Sequence, residues 1–385
     1  MVLDARYAGR RPSGIGRYTE ALLRHLPGQV ELTAWLHPRA SDALLPNGRR
    51  VDIRTRANHL PTLWWPHRLG DLTGADVFHA PFNLLGRGID VPTVVTLHDV
   101  MWVSAPHLCQ GSRWRRAIQA PFFRAGIARA LRHASRIITP SQASADAIAA
   151  LHPQALSRLR VVPHGVDPAF TPSVDIDADA RRCEALGVDG PFFLTVGQAS
   201  PYKNHRAVVK AFEAADLSGT RLVVVERLGG RRRLDGRVTY LPGLHEDDLM
   251  ALLRRARGLI QFSRDEGFGL PVLEAMACGT PVIVSDIPPL RELIGRAGVH
   301  VPLRLGALAA ALRNISVDAD WRADLARLGP LRAARFRWDD AIAAPLDVYA
   351  EAAGRRLETR RRRPRLAPRA PMSSSPEPGG PAGGP

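Results

Sequence analysis

The chain is 385 residues long, 45% hydrophobic, and carries a formal charge of +16; this length suits two or three domains at roughly 150 residues each. Its three cysteines, Cys109, Cys183 and Cys278, lie far apart with no Cys/His ligand spacing, which argues against a disulfide framework or a zinc site. No run of about 18 apolar residues and no charged-then-apolar leader is read, so a cytoplasmic setting without a membrane span is expected.

Part of the charge is local. From Gly354 onward, eight arginines and two glutamates give +6. The run Arg360–Arg363 and the Pro/Gly/Ser-rich end predict a disordered basic tail over 355–385. The remaining charge is dispersed, and alone it suits nucleic acid, an anionic lipid surface or an anionic substrate.

Strand patterns at 2–5, 30–36, 76–79, 92–98, 136–139 and 160–163 alternate with helical patterns at 15–26, 114–131 and 142–151, the last capped by Ser141. The segment 165–190, with Pro168, Pro172, Gly187 and clustered Asp, predicts a boundary. The series then restarts with strands at 192–196, 222–226, 238–241, 258–262 and 281–285. Helices are predicted at 204–215, 246–255, 272–276, 307–314 and 338–353. Such alternation implies right-handed parallel crossovers, hence an α/β chain with two doubly wound, Rossmann-like domains over 1–168 and 169–338. Ligands of open parallel sheets sit outside the carboxyl ends of the strands. Two such sheets facing each other would gather their post-strand loops around one cleft.

Those loops hold the candidate residues. After the first strand, Gly14-Ile-Gly16-Arg17 opens a helix. A dinucleotide fingerprint would need a third glycine, but position 19 is Thr and no acidic residue closes a second strand about 20 positions on. His98 ends the strand 92–98, where an imidazole can bond a sugar hydroxyl; Asp99 reads as a turn former. On the helix 114–131, Trp114, Ile118, Phe122, Ile127 and Leu131 share a face and arginines crowd the rest. That face suits its own sheet or an anionic lipid surface. After the first strand of the second half, Gly197-Gln198 leads to Lys203, placed before a helix to meet a phosphate. Arg227, after the next strand, is a second candidate cation. The strings Asp175-Ile-Asp177, Asp177-Ala-Asp179 and Asp318-Ala-Asp320 read as solvated loops, and no metal is implied.

The stretch 261–293 is the most specific. A buried strand ends at Ser263, Gly267 and Gly269 permit a tight path with exposed amides, and Pro271 suits a helix start. Glu266 and Glu274 flank this loop eight positions apart, and the helix N-terminus favours an anion beside it. The string Glu266-Gly267-Phe268-Gly269-Leu270-Pro271…Glu274, with Met276-Ala-Cys-Gly-Thr-Pro-Val282, resembles the Glu-x7-Glu signature of the retaining glycosyltransferases of family 4. The Ser-Gly-Ile-Gly-Arg-Tyr loop at 13–18 and the turn 163–167 resemble the same family, over roughly residues 1–350.

That resemblance implies a GT-B arrangement, with an acceptor-side first domain, a nucleotide-sugar-binding second domain, and a helix over 339–354 crossing back to the first. It implies transfer of a hexose, with retention, from a nucleotide diphosphate sugar (GDP- or UDP-linked) to a glycan or lipid-linked glycan in polysaccharide or lipopolysaccharide biosynthesis. Lys203, Glu266 and His98 would act in catalysis. Gly14, Gly16, Gly197, Gln198, Gly267, Phe268, Gly269, Leu270 and Glu274 would bind the donor, with Glu274 on the ribose. No cofactor and no metal would be needed. A GDP-linked mannose is favoured by resemblance to O-antigen and capsule mannosyltransferases. Gln198 departs from the pattern, since many members carry Arg there. Two rivals are a basic nucleic-acid-binding protein, which lacks any recognition helix or aromatic-basic interleaving, and a GT-B sugar-nucleotide epimerase.

Overall fold

The structure, a computed structural model, describes residues 1–9, 13–226 and 232–354. Arg227 and the tail at 355–385 lie outside the described residues, as do 10–12 of the first glycine loop.

The first lobe runs β1 (Val2–Asp4), α1 (Gly14–His25), β2 (Thr33–Leu36), β3 (Arg49–Asp52), α2 (Leu60–Trp64), β4 (Phe78–Ala80), β5 (Thr93–Thr96), α3 (Met101–Ser104), α4 (Pro106–Cys109), α5 (Arg113–His133), β6 (Arg136–Thr139), α6 (Gln142–Leu151) and β7 (Leu159–Val161). The second runs α7 (Ile176–Ala185), β8 (Phe192–Gly197), α8 (His205–Ala215), β9 (Arg221–Glu226), β10 (Arg233–Asp235), β11 (Val238–Leu241), α9 (Glu246–Arg255), β12 (Gly258–Gln261), α10 (Leu270–Ala277), β13 (Val282–Ser285), α11 (Pro288–Ile294), β14 (Val299–Val301), α12 (Leu305–Val317) and α13 (Ala319–Ala333). The last helix, α14 (Trp338–Ala352), ends the described chain.

Among the described residues each lobe holds a seven-stranded sheet, ordered β3-β2-β1-β4-β5-β6-β7 and β10-β11-β9-β8-β12-β13-β14. Every pairing is parallel except β10 with β11. Helices cover both faces of each sheet. The central strands β5, β8, β12 and β13 are therefore buried throughout, and a strand hidden on both sides reads as an unbroken apolar run.

Helix α14 returns to the first lobe. Trp338, Ile342, Val348 and Tyr349 join the same core as Leu3, Leu22, Val94 and Ile138. Glu351 takes Arg136 at 2.8 Å and Arg160 at 2.6 Å.

Three expectations are corrected. The Asp strings are not solvated loops: Asp175 caps α7 by accepting from Ala178 N, Asp318 caps α13 by accepting from Trp321 N, and Asp179 is buried between Ser173 Oγ (2.6 Å) and Arg254 (3.5 Å). The apolar face of α5 does not pack as a unit. Ile127 and Leu131 lie in the core, whereas Trp114 is 85% and Ile118 77% exposed. The cause is length, since 21 residues span about 30 Å and overrun the short strands beneath. Finally, strand 92–98 stops at Thr96, so His98 belongs to the following loop.

Candidate active site

The carboxyl ends of both sheets face one cleft. Its tightest point is backbone against backbone: a Cβ added to Gly267 would lie 2.1 Å from the His98 carbonyl oxygen. The Gly267 carbonyl accepts from Ser141 Oγ at 2.8 Å and Ser144 Oγ at 3.1 Å. Ser141 is also the N-cap of α6, accepting from Ser144 N. Glu292 of α11 takes the next two amides of that helix, Gln142 N at 2.9 Å and Ala143 N at 3.1 Å. A carboxylate at a helix N-terminus is favourable, so one helix end ties the lobes together.

The loop between β12 and α10 sets the acidic groups. Gln261 and Ser263 alternate along the strand end and so point to one side. Three donors converge on Glu266 Oε1: Lys203 Nζ at 2.7 Å, Gln261 Nε2 at 2.5 Å and Ser263 Oγ at 2.6 Å. Lys203 and Glu266 are each only 8% exposed. Lys203 ends a short turn after Pro201, and Asn204, left-handed at φ 56°, starts α8. Gly197, at the end of β8, leaves room for the lysine stem, whose Cδ would sit 3.1 Å from an added Cβ. Gln198 is half-buried just beyond.

Gly269, at φ 109°, turns the chain into α10, a conformation open to glycine without strain. That helix starts at Leu270 with no side-chain cap. Among the described residues, the amides of Phe268 and Gly269 find no acceptor. The Phe268 ring packs edge-on to His164 at 5.2 Å. Glu274 is buried in the second turn, where the Arg17 guanidinium meets it from across the cleft. Arg17 also reaches Glu246 at 3.2 Å and lies 5.5 Å over the Phe170 ring. Gly14, at the start of α1, lies against Leu270, and Gly16 N donates to the cap Ser13. A cavity of about 380 Å³ between the lobes is lined by Gly9, Arg17, Glu246, Leu270, Glu274 and Trp338, among others. Lys203 and Glu266 thus form one cluster, and Arg17 and Glu274 a second one, on the cavity wall.

His98 departs from expectation in its geometry. Its ring points inward rather than into the cleft, with Nε2 3.0 Å from the Pro81 carbonyl and Nδ1 3.2 Å from His164 Nε2. A carbonyl only accepts, so His98 carries its proton on Nε2. Its Nδ1 then accepts from His164 Nε2–H. What His98 turns toward the Gly267 loop is its backbone.

Burial pushes the His98 imidazole down to about 4 and that of His79 down to about 3; His205, also buried and next to the Lys203 ammonium, falls to about 4. Asp265, half-buried and facing Asp99, is pushed up to about 6. These shifts fix a sign. Below about 6.5 the unfolded chain takes up protons that the folded histidines refuse, so stability falls as pH drops from 6.5 toward 4. Each of His79 and His98 contributes on the order of 2 kcal/mol of loss at pH 5. Asp265 works in the opposite direction below pH 6 and offsets only part of this. The melting temperature is therefore expected to fall between pH 7 and pH 5; a flat or rising profile would contradict the assignment.

Sequence reasoning missed Arg17 as the partner of Glu274, and Gln261 and Ser263 as holders of Glu266. A glutamine closing the otherwise apolar run Gly258-Leu-Ile was the available signal for the latter.

Comparison with known proteins fixes the class. Residues 12–170 match the family described as Glycosyltransferase Family 4, and residues 178–329 match Glycosyl transferases group 1. A D-inositol 3-phosphate glycosyltransferase of Xylanimonas cellulosilytica is 33% identical over 313 residues, covering 73% of this chain and 73% of that protein. An O-antigen chain mannosyltransferase B of Escherichia coli is 26% identical, over 86% of this chain and 82% of its own length. The solved structure of Anabaena Alr3699/HepE in complex with UDP-glucose superposes with a TM-score of 0.66 at 19% identity, covering 91% of this chain and 99% of that one. The chain belongs to the group 1 glycosyltransferases. It is an enzyme of that class with the GT-B fold.

Proposed function

We propose that this enzyme moves a hexose, with retention of configuration, from a nucleotide diphosphate sugar to a glycan or lipid-linked glycan, calling on no metal or cofactor. The observation that carries the reading is the buried contact of Lys203 Nζ with Glu266 Oε1 at 2.7 Å, beside the open N-terminus of α10. In this reading the lysine ammonium and the free amides of 268–269 hold the diphosphate, Glu266 contacts the sugar ring, and Glu274 takes the ribose hydroxyls. The C1–oxygen bond to the diphosphate breaks, the acceptor oxygen bonds C1 on the same face, and the acceptor proton leaves with the diphosphate. Stabilising charge that develops on the leaving group is the largest service such a site can render.

His98 acts here through its backbone, with its ring holding the loop. Gln198 is uncharged where the family resemblance leads one to expect Arg, so among the described residues Lys203 is the main cation on the second lobe's side. Hexose and base stay open between a GDP-linked mannose, favoured by the O-antigen relative, and a UDP-linked glucose, as held by the Anabaena protein. Among the described residues no helix is long and apolar enough to cross a membrane. Exposed Trp114 and Ile118, among the arginines of α5, suit peripheral contact with an anionic membrane face.

A thermal-shift panel of UDP-, GDP-, ADP- and TDP-sugars tests the donor assignment. A ligand at 100 times its dissociation constant adds about 2.7 kcal/mol of stability. One nucleotide is expected to raise the melting temperature in a concentration-dependent way, and Glu274→Gln to weaken that response about tenfold, the weight of one charge-assisted hydrogen bond. A panel with no response would refute the donor reading.

A further inference from the structure

A second cavity, of about 1020 Å³, opens in the first lobe where the loops after β1, β2 and β3 meet α5. Among the described residues no Asp or Glu lines it, whereas Arg6, Arg39, Arg56, His37 and His59 do. Arg6 is spent: its guanidinium is buried against Asp4, with further bonds to the Thr55 carbonyl and Thr62 Oγ1. Arg39 and Arg56 are exposed, and among the described residues their side chains have no ion-pair or hydrogen-bond partner. The acids nearest in sequence, Asp42 and Asp52, are both taken by Arg50 at 2.7 and 2.8 Å. Two guanidiniums thus face one concavity with no acid among the described residues to neutralise them.

Fork-shaped guanidinium donors match phosphate oxygens two at a time. Gly9 lines both this cavity and the one that holds Glu274, so a group bound here lies next to the donor. We propose that the cavity binds the acceptor through a phosphate group carried on it, gripped by Arg39 and Arg56. This rests on the reading of the interlobe cavity as the donor site and names the chemical class of the second substrate.

Calorimetry on the full-length chain, with whichever of UDP and GDP binds saturating the donor cavity, tests it with glucose 6-phosphate against glucose. The phosphorylated sugar is expected to bind at least about tenfold more tightly, as one charge-assisted hydrogen bond would give. In the double variant Arg39→Ala, Arg56→Ala that preference disappears while affinity for the nucleoside diphosphate stays. A soluble source is separated from a lipid one by phosphatidylcholine vesicles with and without phosphatidic acid. Capture that needs phosphatidic acid, and is lost in the double variant, assigns the phosphate to a lipid headgroup. Sugar phosphate binding without such capture assigns it to a soluble acceptor. In the lipid case Trp114→Ala weakens capture without touching sugar phosphate binding. Equal affinity for the two sugars with the nucleoside diphosphate bound, or a double variant that keeps the preference, overturns the phosphate assignment and leaves the donor reading intact. Failure of both UDP and GDP to bind removes the donor reading, and the acceptor assignment with it.

Discussion

Replacing Lys203 with alanine is expected to lower turnover by on the order of 10²-fold or more, as removal of one fixed stabiliser of a departing anion does. The variant should still fold. Breaking a buried pair usually costs about 3–5 kcal/mol because the abandoned charge is left alone. Here Glu266 Oε1 keeps Gln261 Nε2 at 2.5 Å and Ser263 Oγ at 2.6 Å, so the loss belongs at the low end. The measurement is initial-rate transfer or donor hydrolysis beside a melting curve. A folded variant with near-normal turnover would remove Lys203 from the chemistry.

The second large effect is steric. Gly267→Ala places a methyl group 2.1 Å from the His98 carbonyl oxygen and 2.9 Å from its carbon. Both are backbone atoms, held by Asn83 Oδ1 on the His98 amide at 2.7 Å and by Ser144 Oγ on its carbonyl at 3.3 Å. No rotamer can relieve the clash, so the seam must widen. Overpacking of this kind costs about 3 kcal/mol, and a shift of about 1 Å between reacting groups lowers rate on the order of 10²-fold. Gly306→Ala, at the start of α12, is the control, since among the described residues nothing lies within 4 Å of an added Cβ there. Equal melting temperature and turnover in the two variants would refute the claim that the lobes touch at Gly267.

The fold was legible because strands buried on both faces are written as continuous apolar runs. Phe192–Gly197 and Val282–Ser285 could hardly be read otherwise. Strand β3, Arg-Arg-Val-Asp, was not legible because it is an exposed edge, and edges need no apolar pattern. Helix α7 was hidden in the same way, its cap Asp175 and the buried Asp179 resembling a polar linker until Arg254 is placed beside them. Within the site, the order of residues revealed the Glu266–Glu274 loop and Lys203. It could not reveal that Arg17 meets Glu274 across 257 positions, nor that the His98 ring faces inward. The first depends on how the two sheets are set against each other, the second on Pro81 and His164 meeting the ring within the first lobe, and no local pattern encodes either.

The returning helix α14 has a practical consequence for anyone recombining such enzymes. A chimera made by exchanging everything beyond the boundary near residue 168 would import a foreign final helix. Its Trp338, Ile342, Val348 and Tyr349 would have to fill a niche shaped by the other parent's Leu3, Val94 and Ile138. The second lobe is best transplanted as an internal cassette ending before Arg337, so that the closing segment and its seat always descend from one ancestor.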